Sequence, residues 1–295
     1  MAPEYCAVAS MPGWLIAPKG VALPFEIEPG FTIAPFPPWM QTQEYLGQLT
    51  STGGIIAGVA RRAFIVTYTG EPASVLQEHA RACARIERAK LAAWIAGPFA
   101  LNSSSVLFAA SEEGGWSPNG FRVYDAVRHR REEGKQNLTQ GDLERLRAVY
   151  LALASLPPGS VRRTANALSV GITHEAGIRY VLVWLALEAI FGPADGRRVT
   201  KRLSARIPAL LAIDLGQQAQ AVSDDVRTAY DLRCDVVHGR EIDEEHSKTP
   251  GRSEVNSEQW ARLALCKVLG DPTLAATFSN EEKRDAYLDG LVLGR

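Results

Sequence analysis

Cysteine is scarce and scattered in this 295-residue chain: Cys6, Cys83, Cys234 and Cys266 form no CxxC pair. That spacing supplies neither a disulfide framework nor a zinc site, so a reducing, cytoplasmic setting is expected. The first residues lack a basic stretch followed by a long apolar one, and Glu4 stands among them, so no signal peptide is expected. The most apolar run, Tyr180 to Leu187, is stopped by Glu188 and is far too short to cross a bilayer. Charge of one sign is missing too, with Lys+Arg 32 against Asp+Glu 33 and a net charge of −1. Divided at residue 140, each part remains balanced, so no basic domain hides in the average. A protein that holds nucleic acid by bulk positive charge is excluded, and any anion site must be a local cluster. Gly53-Gly54 and Gly114-Gly115 make no phosphate loop, and neither GxSxG nor a paired HxxxH is present.

What is present is enough apolar sequence, 46% of residues, for a large domain or two ordinary ones. The first part is rich in Gly, Pro and short apolar runs. Trp14 to Ala17, Phe25 to Ile27, Phe31 to Ile33, Ile55 to Val59 and Ala63 to Tyr68 read as strands separated by turns such as Glu28-Pro29-Gly30. A helix is expected from Ser74 to Ala96, with Leu76, Ala80, Cys83, Ile86, Lys90 and Trp94 as its stripe. Val106 to Ala110 and Phe121 to Val127 suggest two more strands. The charged segment Arg128 to Asn137 is the expected boundary of a mixed α+β domain over residues 1–137.

Strand signals nearly vanish thereafter, and residues 138–295 read as an all-α bundle. Thr139-Gln140-Gly141-Asp142 opens a helix that runs to Leu156 and Pro157-Pro158-Gly159. Further helices fit Val161–Thr173, Glu175–Phe191, Lys201–Ile213, Asp224–His238, Ser257–Leu269 and Asn280–Leu291, with a long polar loop over Glu241–Asn256. No internal repeat is found.

Two of these helices carry the chemistry. Tyr180 to Phe191 is apolar all round except for Glu188, which marks a helix central to the bundle and a carboxylate that demands a cation or donors. The other runs from Ser223, an apparent N-cap followed by Asp224 and Asp225, to Gly239, which is placed to end it. His238 is then the last helical residue. Arg233 lies five positions earlier, about 7–8 Å along the axis and about 140° around it. A long arginine side chain can bridge that gap toward a phosphate held beside the histidine.

The string Tyr230-Asp231-Leu232-Arg233-Cys234-Asp235-Val236-Val237-His238-Gly239 resembles the Arg-x4-His signature of the HEPN superfamily, and its Apea-like branch in particular. That branch also has an upstream helix ending in Leu-Glu-Ala-aromatic, matched by Leu187-Glu188-Ala189-Ile190-Phe191, and an intervening helix that Arg202 to Arg206 fits. The resemblance covers roughly residues 140–295. It implies a dimeric bundle of four to five helices and a metal-independent RNA endonuclease. The RNA's own 2′-OH would attack the adjacent phosphate, which excludes DNA. By the same resemblance His238 transfers the proton, Arg233 stabilises charge on the phosphate, and the two subunits of a homodimer form a composite cleft. Cys234 departs from the Asn or Asp that many such nucleases carry after the arginine.

Around this pair, Asp231 and Asp235 are candidate partners of Arg233, and Glu188 is a candidate for orienting it. Tyr230 reads as packing one turn away, and Arg227 and Arg240 as further phosphate-binding cations. No cofactor or metal is expected: His246 beside Asp243, Glu244 and Glu245 reads as a solvated loop. Arg61-Arg62 and Arg128, Arg130 and Arg131 read as ordinary surface charge. The expectation is a cytoplasmic ribonuclease with an antiphage or toxin-like, growth-arrest role, whose N-terminal domain responds to a phage-derived or cellular trigger. Two rivals remain: a non-catalytic HEPN dimer for protein interaction or nucleotide binding, and a structural bundle in which Glu188 and Arg233 merely tie helices together.

Overall fold

The computed structural model describes residues 4–11, 21–41, 62–69, 75–97, 105–112, 115–123, 138–174, 176–239 and 250–294. The expected strands Trp14 to Ala17 and Ile55 to Val59 lie outside them. So do the charged boundary segment, Arg240, His246 and its acidic neighbours, Arg61, Arg128, Arg130 and Arg131. The chain divides into two compact units, Met1–Tyr150 and Leu151–Arg295. Their architecture is that expected from the sequence, an α+β unit followed by a helical one.

The first unit is built on six antiparallel strands: β1 (Glu4–Met11), β2 (Phe25–Glu28), β3 (Phe31–Pro35), β4 (Arg62–Thr69), β5 (Ser105–Glu112) and β6 (Gly115–Val123), in the order β2-β3-β4-β1-β5-β6. β1 was not expected, yet it is a central strand, pairing Glu4 with Thr69 through Met11 with Arg62 on one side and Tyr5 with Ala110 on the other. Tyr5, Cys6, Ala7, Val8 and Ala9 are all buried, so the segment shows none of the alternation that betrays a half-exposed strand. Its alanines and cysteine are also weak strand formers. Between β2 and β3 the turn needs Gly30, whose φ is 71° and whose Cβ would lie 2.9 Å from the Thr67 carbonyl.

On one face of the sheet Cys6, Val8, Ala63, Leu107 and Ala109 pack with Phe36 and Met40, beside the stacked rings of Trp39 and Trp116. The other face carries Tyr5, Tyr68 and Phe108, which surround His79 of α1 (Val75–Ala96). Leu76, expected on the buried stripe of that helix, is 78% exposed, and Ala80 is exposed as well; the first buried residue is Ala82, and burial is unbroken only from Ala89 onward. α2 (Gln140–Ser155) opens on a reciprocal cap between Thr139 and Asp142. Its Tyr150 hydroxyl donates to Glu28, which also accepts from Arg85 at 2.6 Å.

The second unit consists of the end of α2 with α3 (Ser160–Gly171), α4 (Ala176–Phe191), α5 (Val199–Leu211), α6 (Ala219–His238), α7 (Pro250–Gly270), α8 (Pro272–Phe278) and α9 (Glu281–Leu293). α4 packs against α3, α5, α6 and α7, as its apolar sequence requires. Trp184 is fully buried at its centre, edge-on to Tyr180, Tyr230 and Trp260. Two helix starts differ from expectation. α6 begins four residues before Ser223, with Gln218 in the cap position, so Ser223, Asp224 and Asp225 are interior helix residues rather than its cap and first turn. α7 begins at Pro250, within the stretch expected to be loop. α8 was not expected; Asp271 caps it by accepting from the N–H groups of Thr273 and Leu274, ahead of Pro272 at its first position. Among the described residues no helix is long and apolar enough to cross a membrane.

Candidate functional site

The last turns of α4 and α6 bring the candidate residues together. α6 ends where the sequence suggests: Gly239 adopts the left-handed conformation with φ 61° and ψ 30°, donating to the carbonyls of Asp235 and Val236. His238 is therefore the final helical residue, exposed at the end where carbonyls lack partners. One and a half turns earlier, the Arg233 Nη2 lies 2.9 Å from Glu188 Oε1 on α4, with the two side chains 16% and 25% exposed. Among the described residues the Arg233 Nε is buried without a hydrogen-bond partner.

Aromatic rings form the floor under this pair. The Arg233 guanidinium stands 5.6 Å from the centre of the Tyr230 ring, and Tyr230 meets Trp184 edge-on at 5.3 Å. Burial pushes the Glu188 carboxyl above its ordinary range, and the Arg233 charge pulls it back down. Tyr230 is raised too, by burial first and by the Glu188 charge next, with Arg233 opposing. The Tyr180 hydroxyl donates to the Ala229 carbonyl and ties α4 to α6 one turn below.

The end of α4 is held from the other side by two arginines that sequence reasoning missed. Arg206 on α5 donates to the Phe191 carbonyl at 2.9 Å, and Arg284 on α9 donates to Ala189 and Gly192 at 2.7 and 2.9 Å. Both are buried, sit at the negative end of the α4 dipole, and share Asp285. Arg206 also bonds Asp289 at 2.9 Å. The only local signal was an arginine at 206 on the apolar side of its helix. Its acidic partners lie 79 and 83 positions away, beyond any periodicity argument.

Of the sequence candidates, Glu188, Arg233 and Tyr230 thus converge. Asp231 is exposed, and the carboxylate beside Arg233 is Glu188 rather than Asp231; Asp235 is half-buried in the last turn. Arg227 is exposed and lies 3.5 Å from Asp224. Among the described residues no ion pair or hydrogen bond links His238 to Arg233 or Glu188 within one chain. Nor does any group of three or more His, Cys, Asp and Glu among them suit a metal ion. The arrangement offers a cation held in place by a half-buried carboxylate, and an exposed imidazole further along the same helix. No family model matches the chain, and neither a curated protein nor a solved structure matches it.

Proposed function

We propose that the protein is a metal-independent RNA endonuclease in which Arg233 and His238 act at the cleft of a homodimer. The observation that carries this reading is Arg233 held at 2.9 Å by Glu188, two motifs of the HEPN resemblance meeting in space across α4 and α6. Arg233 stabilises charge on the phosphate while its orientation is kept by Glu188. His238 moves the proton, as base toward the 2′-OH or acid toward the leaving 5′-oxygen. Asp235, Asp231 and Tyr230 shape the surroundings, and Arg227 with Arg240 supply further positive charge. No metal-bound water and no cofactor enters the reaction.

The second chain comes from the resemblance, which implies a composite cleft, and among the described residues His238 and Arg233 have no direct link within one chain. Support for a homodimer comes from α4, whose uncovered side is an apolar stripe: Ile178 is 56% and Leu185 43% exposed, with Val181, Leu182 and Ala189 half-buried between and beyond them. The stripe ends beside Glu188. Two copies meeting along it would set one site next to the other. Held in check by the N-terminal unit until a phage-derived or cellular trigger arrives, such an enzyme serves a cytoplasmic antiphage or toxin-like growth-arrest role.

One observation favours a different reading, a non-catalytic dimer that binds partners or nucleotides. Glu188 already neutralises Arg233, as it would in a purely structural tie. A cleavage assay decides between them: purified protein and total RNA in EDTA, with ends mapped for 2′,3′-cyclic phosphate. Cleavage that disappears in His238→Ala supports the nuclease, whereas cleavage that survives the change or requires a divalent ion overturns it.

A further inference from the structure

The acidic groups near the start of α5 all have arginine partners. Arg202 lies 3.8, 4.0 and 3.7 Å from Asp195, Asp285 and Asp289, Arg206 binds the latter two, and Arg284 binds Asp285. Three acids therefore meet three arginines. Arg197, Arg198 and Lys201 are left over: all are exposed, and among the described residues no ion pair neutralises them. In a chain whose net charge is −1, this is a local surplus of the kind that the composition requires of any anion site.

Its position matters as much as its charge. α5 and α6 are joined by a short turn over residues 212–218 and pack against each other, so the start of one lies toward the end of the other. α5 spans 13 residues, about 20 Å at 1.5 Å per residue. The same rise along α6 from Ala219 reaches the turn that holds Arg233. The α4 end beside Arg233 is also the end bonded by Arg206 of α5. Arg198, with a φ of 54°, stands in the cap position of α5 and its own side chain makes no capping hydrogen bond, so the first backbone N–H groups of the helix add to the positive potential there.

We propose that Arg197, Arg198 and Lys201 form the track on which the RNA phosphates flanking the cleaved one lie. This rests on the ribonuclease reading above. Three exposed cations within five residues at the start of α5 fit a polyanionic strand better than a single small anion, and such contacts hold the backbone irrespective of base sequence. The track positions the strand, while Arg233 acts on the one phosphate that reacts.

The test is binding of a 5′-fluorescein single-stranded RNA 20-mer to the full chain, read by anisotropy in EDTA over a range of salt. His238→Ala is the background, so that no cleavage intervenes. Adding Arg197→Gln, Arg198→Gln and Lys201→Gln should weaken binding about tenfold or more at 0.1 M salt. The slope of log K against log salt should fall in magnitude by about 2, given about 0.7 per lost single-strand phosphate contact. Lys201→Gln alone, which leaves the backbone at Arg198 untouched, should lower it by about 0.7. If the background protein binds RNA and these variants bind it with unchanged affinity and slope, the track is wrong and the nuclease reading stands. If the background protein binds no RNA, the nuclease reading falls and the track falls with it.

Discussion

Glu188 and Arg233 lie 45 positions apart in sequence and 2.9 Å apart in space, one on each of the two helices that carry the motifs. A half-buried carboxylate and a half-buried guanidinium each lose more by being left alone than they gain by being paired. Arg233→Gln should therefore destabilise the helical unit by about 1–3 kcal/mol, less than for a fully buried pair because both side chains keep some contact with water. Glu188→Gln added to it should restore part of the loss in a double-mutant cycle. The deficit of the single variant should also depend on pH. With the cation gone, burial alone raises the Glu188 carboxyl, so the deficit is absent below the ordinary glutamate range and complete only above the raised value. Denaturant melts between pH 4 and 8 would measure it; a cost independent of pH would mean that the charge of Glu188 is not the cause.

His238 offers the opposite separation of stability from activity. It is exposed at the end of α6, and among the described residues it makes no ion pair. His238→Ala should shift stability by no more than about 0.5 kcal/mol while lowering RNA cleavage by about 100- to 10,000-fold. Arg233 variants lose both properties together, so His238 is the cleaner probe of catalysis.

The exposed stripe of α4 yields a prediction about assembly. Ile178→Lys and Leu185→Glu place charge on a face that two copies would bury, and neither side chain belongs to the core of its own unit. Light scattering coupled to size exclusion should show a dimer converted to a monomer with an unchanged helical circular dichroism spectrum. A monomeric parent protein would remove the basis for the composite cleft.

The first unit should weaken in mild acid because of His79. Its ring stacks on Phe108 at 3.9 Å and faces Tyr5 and Tyr68 edge-on, and its Nε2 is buried with no hydrogen-bond partner among the described residues. Burial holds it below its ordinary value, so the folded unit keeps the neutral ring while the unfolded chain takes up a proton. The stability this gives is complete above about pH 6.5 and is lost progressively as the pH falls below it. Protection factors of the β1 and β4 amides, followed from pH 8 to 5.5, should decline in the parent protein and hold level in His79→Phe.

How much of this was legible in the sequence depends on the range of the interaction. The end of α6 was readable because Gly239 is a local signal, and the role of α4 because one carboxylate interrupts an otherwise apolar run. The turn between β2 and β3 was marked by Pro29 and Gly30. β1 escaped because burial on both faces erases alternation, and the start of α6 because Ser223 imitates a cap that the helix passes through. α8 had a readable beginning in Asp271-Pro272 but is only seven residues long, too short to show a period. The surplus of cations at Arg197, Arg198 and Lys201 emerges only after the pairing of Arg202, Arg206 and Arg284 is known.

The clamp on α4 has a consequence in time. Arg284, which bonds the Ala189 and Gly192 carbonyls, is synthesised 96 residues after Glu188, a delay of about 5–20 s at ordinary translation rates. Until α9 is made, the end of α4 lacks half of its anchors, and the nascent chain holds Glu188 and Arg233 on elements not yet locked in place. On the ribonuclease reading proposed above, that order of construction would give an enzyme made on the ribosome, among its own prospective substrates, a built-in interval of harmlessness.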